Sequence, residues 1–260
     1  MRKSKVLAKL RSGKVAKICG LGHFLPFFVR YAAHVGYDGI WLDLEHRAMN
    51  SREVQALLAF CHLHDIDCML RPPTVERTRL YRYLEDGASG LMIPFASNAE
   101  IARQVVEAIK FPPQGNRGMD GAGLDGDFGL GAWAKDSTYA RDANNESFIV
   151  GQIETPEGVL KADEIAAVPG IDALFVGPGD LGLRLAAYPD SGVASLDSAI
   201  AQVSAVAKRH GKAWGAAGGP IETQHRYRRM GAQIIPWGGD FGLCQVLASC
   251  SAQLDSILSD

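Results

Sequence analysis

Eight times along the chain, a short and nearly continuous apolar run is followed by a stretch with helical spacing, and no shift in composition separates the units. The runs fall at 16–21, 39–44, 68–71, 90–95, 148–154, 172–177, 213–217 and 233–238. Strands covered on both faces read this way, because neither side meets water. Between them lie amphipathic stretches at 53–62, 75–86, 99–109, 157–167, 195–209 and 221–229. Gly87 and Gly211 stand where helix C-caps belong, and Asn98 and Thr155-Pro156 where helices begin. This rhythm predicts an α/β fold, a single (β/α)8 TIM barrel over 1–260. The length of 260 residues suits a barrel of roughly 250. A doubly wound parallel sheet is the alternative.

Hydrophobic residues make up 47% of the chain, enough for a real core, and the formal net charge of −2 offers no basic excess for phosphate. No nucleic-acid partner is expected. The five cysteines are odd in number and form no C-x-x-C, which argues against a secreted disulfide framework. Residues 1–14 are basic without an apolar segment, so they read as a first helix rather than a secretory signal. The uncharged run 241–254 is too short to span a bilayer. A cytoplasmic protein with no membrane partner is the expectation.

One interval, 111–146, is too long for an ordinary connection and is read as a functional or interface loop. It holds Pro112-Pro113-Gln114-Gly115-Asn116-Arg117-Gly118 and then a glycine-rich stretch. Within that stretch Gly121, Gly123 and Gly126 fit a dinucleotide fingerprint, and Asp127-Phe128-Gly129 spells a kinase triplet. Neither has the surrounding strand, helix or partner motifs its chemistry requires, so both are read as flexible loop.

In a barrel, the reacting groups project from the C-terminal ends of the strands. The second run ends in Asp43-Leu44-Glu45-His46, the third in Arg71, the fifth in Gln152-Ile153-Glu154 and the sixth in Gly177-Pro178-Gly179-Asp180. Each has a plain structural alternative: Asp43 or Glu45 pairing with Arg71, His46 packing, Asp180 or Glu154 serving a helix start. Their convergence on one rim favours chemistry. Glu154 and Asp180 end neighbouring strands and supply two hard oxygen ligands for a divalent cation. Arg71 offers a planar fork to an anionic oxygen, His46 can move protons near neutral pH, and the turn at 177–179 exposes N–H groups to a carboxylate. No lysine ends a strand, so a Schiff base has no nucleophile.

These residues, read in order as Asp43-x-Glu45-His46, Arg71-Pro72, Pro112-Pro113-x-Gly115-x-Arg117-Gly118, Gln152-Ile153-Glu154-Thr155 and Gly177-Pro178-x-Asp180-Leu181, strongly resemble the HpcH/HpaI aldolase family. The resemblance runs from about residue 7 to about 248. It implies a phosphoenolpyruvate/pyruvate-type barrel and a class II pyruvate aldolase acting on 2-keto-3-deoxy (2-keto-4-hydroxy) acids. It further implies Glu154 and Asp180 as ligands of Mg2+, Mn2+ or Co2+, with no organic cofactor. Gln152 and the backbone at Gly179 and Asp180 become the pyruvate contacts, Arg71 the transition-state stabiliser and His46 the general base. The position that raises the basicity of His46 is Glu85, where the family usually has Asp; Asp43 is a second orienting carboxylate. The family's tryptophan at the end of the first strand is replaced within Ile18-Cys19-Gly20, which predicts a different pocket wall.

The expected reaction is reversible cleavage of such an acid to pyruvate and an aldehyde. The alternative is a metal-enolate lyase, decarboxylase or carbon–carbon bond-forming enzyme of secondary metabolism using the same site. The resemblance also implies a homo-oligomer, a hexamer built as a trimer of dimers. Its apolar C-terminal helix, about 241–257, is exchanged between subunits, with the loop after Pro112 and the helix carrying Glu85 reaching a neighbouring site. Small side chains at Ala216-Ala217-Gly218-Gly219 predict room for bulky acceptors, unless Trp214 or Trp237 refills it.

Overall fold

The computed structural model of the protein describes residues 2–258. Each apolar run forms one strand: β1 (Ala16–Leu21), β2 (Gly39–Asp43), β3 (Asp67–Arg71), β4 (Gly90–Ile93), β5 (Phe148–Ile153), β6 (Ala173–Val176), β7 (Ala213–Ala216) and β8 (Ile234–Gly239). All pair in parallel in sequence order, and β8 returns to β1 to close the barrel. The helices are α1 (Lys5–Arg11), α2 (Pro26–His34), α3 (Ser51–Leu63), α4 (Arg77–Glu85), α5 (Ala99–Ile109) and α6 (Tyr139–Glu146). They continue as α7 (Pro156–Leu160), α8 (Ala162–Ala167), α9 (Pro178–Ala187), α10 (Leu196–Arg209), α11 (Ile221–Arg229) and α12 (Gly242–Leu258). Among the described residues no helix is long and apolar enough to cross a membrane.

Strand parity sorts the core into two layers. Ile18, Met69, Met92, Phe148, Val150, Ala173, Phe175, Ala213 and Ile234 fill the barrel interior, and Val6, Leu7 and Leu10 of α1 plug its N-terminal end. Their neighbours in sequence, such as Cys19, Leu42, Leu70, Ile149, Leu174 and Trp214, face the surrounding helices. The inward parity carries upward through Trp41 and Asp43, through Arg71, and through Gln152 and Glu154 to the C-terminal mouth. These polar side chains are therefore the top layer of the interior stack.

Capping fixes where that layer ends. Asn98 accepts from the N–H groups of Glu100 and Ile101 to start α5, and Thr155 accepts from Gly158 N to start α7 directly after β5. Gly87, at φ +112°, takes the left-handed position after α4. The stretch 157–167 is not one helix: it breaks at Lys161 into α7 and α8. The interval 111–146 is also more ordered than a flexible loop. Buried Arg117 pairs with Asp125 at 2.7 Å and stacks on Phe111, and Tyr139 at the start of α6 donates to the same carboxylate at 2.8 Å. The Arg117 motif thus folds the insertion rather than entering the mouth.

Candidate active site

Arg71, ending β3, is the hub. Its Nε donates to Asp43 Oδ1 at 3.0 Å, its Nη2 meets Asp43 Oδ2 at 2.8 Å, and its Nη1 ion-pairs with Glu45 Oε2 at 3.0 Å. The guanidinium lies 5.0 Å over the ring of Trp41. Nε–H makes the hydrogen bond, while the Nη contacts are ion pairs, and Glu45 Oε2 has no hydrogen-bond partner of its own. Burial alone would raise the pKa of Asp43. The bond to Arg71, its charge and the N–H groups of His46 and Glu45 outweigh that and hold the carboxyl below its usual range. Asp43 therefore orients both the arginine and the turn that carries His46.

Glu154 follows β5 and is only 3% exposed. Burial pushes its pKa up to about 7, and repulsion from Glu45 and Asp180 adds to this against the pull of Phe95 N–H and Arg71. Phe95 N donates to Oε2 at 3.1 Å and Gln152 Nε2 to Oε1 at 2.7 Å. A Cβ at Gly177 would overlap Oε1 and Cγ, so Glu154 could keep this position only with a glycine there. Asp180 sits in the first turn of α9, which Gly177 caps, and pairs with Arg184 one turn on at 2.6 Å. Arg184 in turn lies 4.9 Å over Phe95. Glu45 is also raised, chiefly by burial, with Asp43 and Asp180 adding repulsion.

Three mutually repelling carboxylates around a buried Gln152 Oε1 that has no hydrogen-bond partner are what a hard divalent cation would relieve. Among the described residues no group of three or more His, Cys, Asp or Glu stands as a metal cluster. Glu154 and Asp180 are the two carboxylates there that could hold such a cation.

His46 is on the rim, its side chain about half exposed, with Nε2 at 3.6 Å from Glu45 Oε2. Glu85 lies elsewhere in the protomer: it is 3.9 Å from Arg82, and burial raises its pKa beside Arg117 and Asp125. Within one chain, then, Asp43, Glu45, Arg71, Gln152, Glu154 and Asp180 converge and His46 joins at the edge. Glu85 does not. Lys110 has a pKa lowered to about 8 by burial, a property that suits Schiff-base chemistry. Its Nζ, however, donates to Asn144 O and to Ser147 O and Oγ, before the start of β5 and far from the mouth.

A cavity of about 560 Å3 opens beside Asp43 and Arg71, walled by Gly20, Gly22, Trp41, Trp237, Asp240 and Phe241. Cys19 does not line it. That residue faces the helix layer, where burial pushes its thiol up to about 12, so the strand-1 wall is the bare backbone of Gly20. Trp214 is likewise turned outward against Tyr227; Trp41 and Trp237 supply the aromatic walls instead. Ala217 packs against the interior layer. Asp240, after β8, was not legible as a site residue. It accepts from Gly22 N and from His23 Nδ1 and ties β8 to the turn after β1.

A family model described as HpcH/HpaI aldolase/citrate lyase matches residues 22–246. The chain is 32% identical over 231 residues to a hydroxypyruvate/pyruvate aldolase of Roseovarius nubinhibens, covering 89% of this chain and 88% of that protein. It is 34% identical over 215 residues to a 2-dehydro-3,6-dideoxy-6-sulfogluconate aldolase of Pseudomonas putida, with 81% and 80% covered. The crystal structure of an HpcH/HpaI aldolase from Desulfitobacterium hafniense superposes with a TM-score of 0.85 at 31% identity, over 95% of each chain.

Proposed function

The chain belongs to the HpcH/HpaI aldolase/citrate lyase family and is a carbon–carbon lyase, and we propose that it cleaves a 2-keto-4-hydroxy acid reversibly to pyruvate and an aldehyde. The observation that carries this reading is the gathering at the C-terminal mouth of Arg71 with Asp43 and Glu45, and of buried Glu154 held by Phe95 N and Gln152 Nε2. Glu154 and Asp180 would hold a divalent cation of the Mg2+, Mn2+ or Co2+ class, which supplies Lewis-acid stabilisation of enolate charge.

The rest is done by the chain itself. The Nη N–H groups of Arg71, which make ion pairs but no hydrogen bond within the chain, donate to the keto oxygen as negative charge collects on it. Gln152 and the N–H groups at Gly179 and Asp180 hold the carboxylate of the pyruvyl end. His46 removes the 4-hydroxyl proton; the C3–C4 pair passes to C3, the 4-carbon becomes the aldehyde, and C3 is then protonated to give pyruvate. Incubating the protein and a divalent cation with several 2-keto-4-hydroxy acids tests the reading, with pyruvate release measured. Release of carbon dioxide in place of pyruvate and aldehyde would replace it with the decarboxylase alternative.

His46→Ala is expected to lower kcat for cleavage by about 10^2- to 10^4-fold, the usual contribution of a general base. Affinity for the cation and for pyruvate, read by calorimetry, should stay unchanged. A variant that loses metal affinity would make His46 a ligand instead.

The C-terminal helix supports an assembly. No residue of α12 is buried, and Leu243, Val246, Leu247, Leu254, Ile257 and Leu258 are all exposed. An apolar helix of this kind needs a covering surface, and we propose a second copy of the chain, α12 being exchanged within a hexamer. Such an assembly would also let the helix carrying Glu85 reach a neighbour's His46. Light scattering is expected to show an oligomer that dissociates when residues after 241 are deleted. An active monomer would overturn the proposal.

A further inference from the structure

Arg184 connects the two carboxylates assigned to the divalent cation. Its Nη1 donates to Asp180 Oδ1 at 2.6 Å and to Asp180 O at 3.2 Å, one turn back along α9. Its guanidinium lies 4.9 Å over the ring of Phe95, two residues past β4. Phe95 in turn donates its N–H to Glu154 Oε2 at 3.1 Å. An ordinary pair at this helical spacing ties two side chains to each other and to nothing else. Here the aromatic face ties the arginine to a second loop, so the guanidinium bridges the segments that present Asp180 and Glu154. The loop residue in the bridge, Phe95, stands at φ +50°, a left-handed conformation that a phenylalanine rarely adopts. The side chains of Arg184 and Asp180 are 30% and 34% exposed, so water and ions reach the pair.

We propose that Arg184 is a positioning residue that shares Asp180 with the divalent cation and holds the affinity for that cation down. This deepens the reading above and rests on Asp180 and Glu154 being the cation's ligands. Asp180 Oδ1 already has a charged donor. A cation on that oxygen must displace Nη1, and a cation on Oδ2 must tolerate a guanidinium on the same carboxylate. Either way two positive centres compete for one negative group, and like charges so close repel. The clamp on Phe95 keeps the competitor at hand in both cases. The site then fills and empties with the free cation concentration instead of keeping its cation as a fixed part of the fold.

Calorimetric titration of the intact protein with Mg2+ alone, with no keto acid present, tests this. Arg184→Met should bind Mg2+ about 10-fold more tightly than wild type, the effect of removing one charge close to a dication at a partly wet site. Arg184→Lys, which restores the charge, should stay within about threefold of wild type, and Arg184→Glu should bind more tightly than Arg184→Met. Added salt should narrow the gap between wild type and Arg184→Met, because exposed charges are screened. In wild type, the 15N signals of the Arg184 guanidinium should shift as Mg2+ is added and return with a chelator. Equal or weaker binding in Arg184→Met would overturn the proposal and leave the aldol reading standing. A guanidinium that does not respond to saturating Mg2+ would do the same. A wild type that binds neither Mg2+, Mn2+ nor Co2+ would instead remove the cation from the reading, and the proposal would fall with it.

Discussion

Glu154→Ala is expected to abolish turnover, with a loss of 10^3-fold or more, together with measurable binding of the divalent cation. A Lewis acid at a developing enolate is worth several kcal/mol, and each 1.36 kcal/mol is about tenfold in rate. Chelation of the wild type should have the same effect and be reversed by adding a divalent cation, while borohydride with pyruvate should trap no adduct. Activity that persists in chelator, or a trapped adduct, would overturn the assignment. The same residue makes a second, independent prediction for the metal-free protein. Its folded pKa of about 7 stands above the usual value of 4.5, so folding retains a proton that the unfolded chain has released. That contribution is fully present below about pH 4.5 and is lost as pH rises through 7, a cost of about 3 kcal/mol above that window. Glu154→Gln keeps the shape without the charge. In the absence of metal it should melt at a higher temperature than wild type at pH 8, with the gap closing toward pH 4.

Much of this site was legible because the barrel puts chemistry at one address. A polar residue that ends an apolar run is conspicuous, and Asp43, Arg71, Gln152 and Glu154 all stand there. What the runs do not encode is which way each residue points. Strands buried on both faces lack the alternation that reveals parity, so Cys19 and Trp214 could be assigned to the pocket although both face the helices. Backbone donors leave no trace in sequence either. The N–H of Phe95, at a residue with φ +50°, supports Glu154 from another strand, and no side chain announces it. Arg184 was readable, being one helical turn from Asp180, but only if the segment after Gly177 is taken as a helix. Asp240 needed closure of the barrel, because its partners Gly22 and His23 lie at the other end of the chain. Glu85 is a different matter: within one chain it lies beside Arg82 and Arg117, apart from His46, and only the proposed assembly would bring it to a neighbour's site.

Arg71→Lys is expected to lower kcat by about 10^2- to 10^3-fold with little loss of thermal stability. Removing one preorganised donor at an oxyanion costs roughly that much. Lysine keeps a positive charge between Asp43 and Glu45, so neither carboxylate is left unpaired in a partly buried place, which is where a neutral substitution would do its damage. What it cannot do is fork. A lysine ammonium that reaches Asp43 has no rigid plane with which to aim further N–H groups at the substrate, and it loses the stacked contact with Trp41. Arg71→Met separates the two roles. It should lose activity to a similar or greater degree but also melt lower, because Asp43 and Glu45 then face each other uncompensated. Combining it with Asp43→Asn should recover stability without recovering turnover. If Arg71→Lys instead kept kcat within about threefold of wild type, the arginine would be no more than the counterion of its two carboxylates, and the stabilising charge would have to come from elsewhere in the mouth.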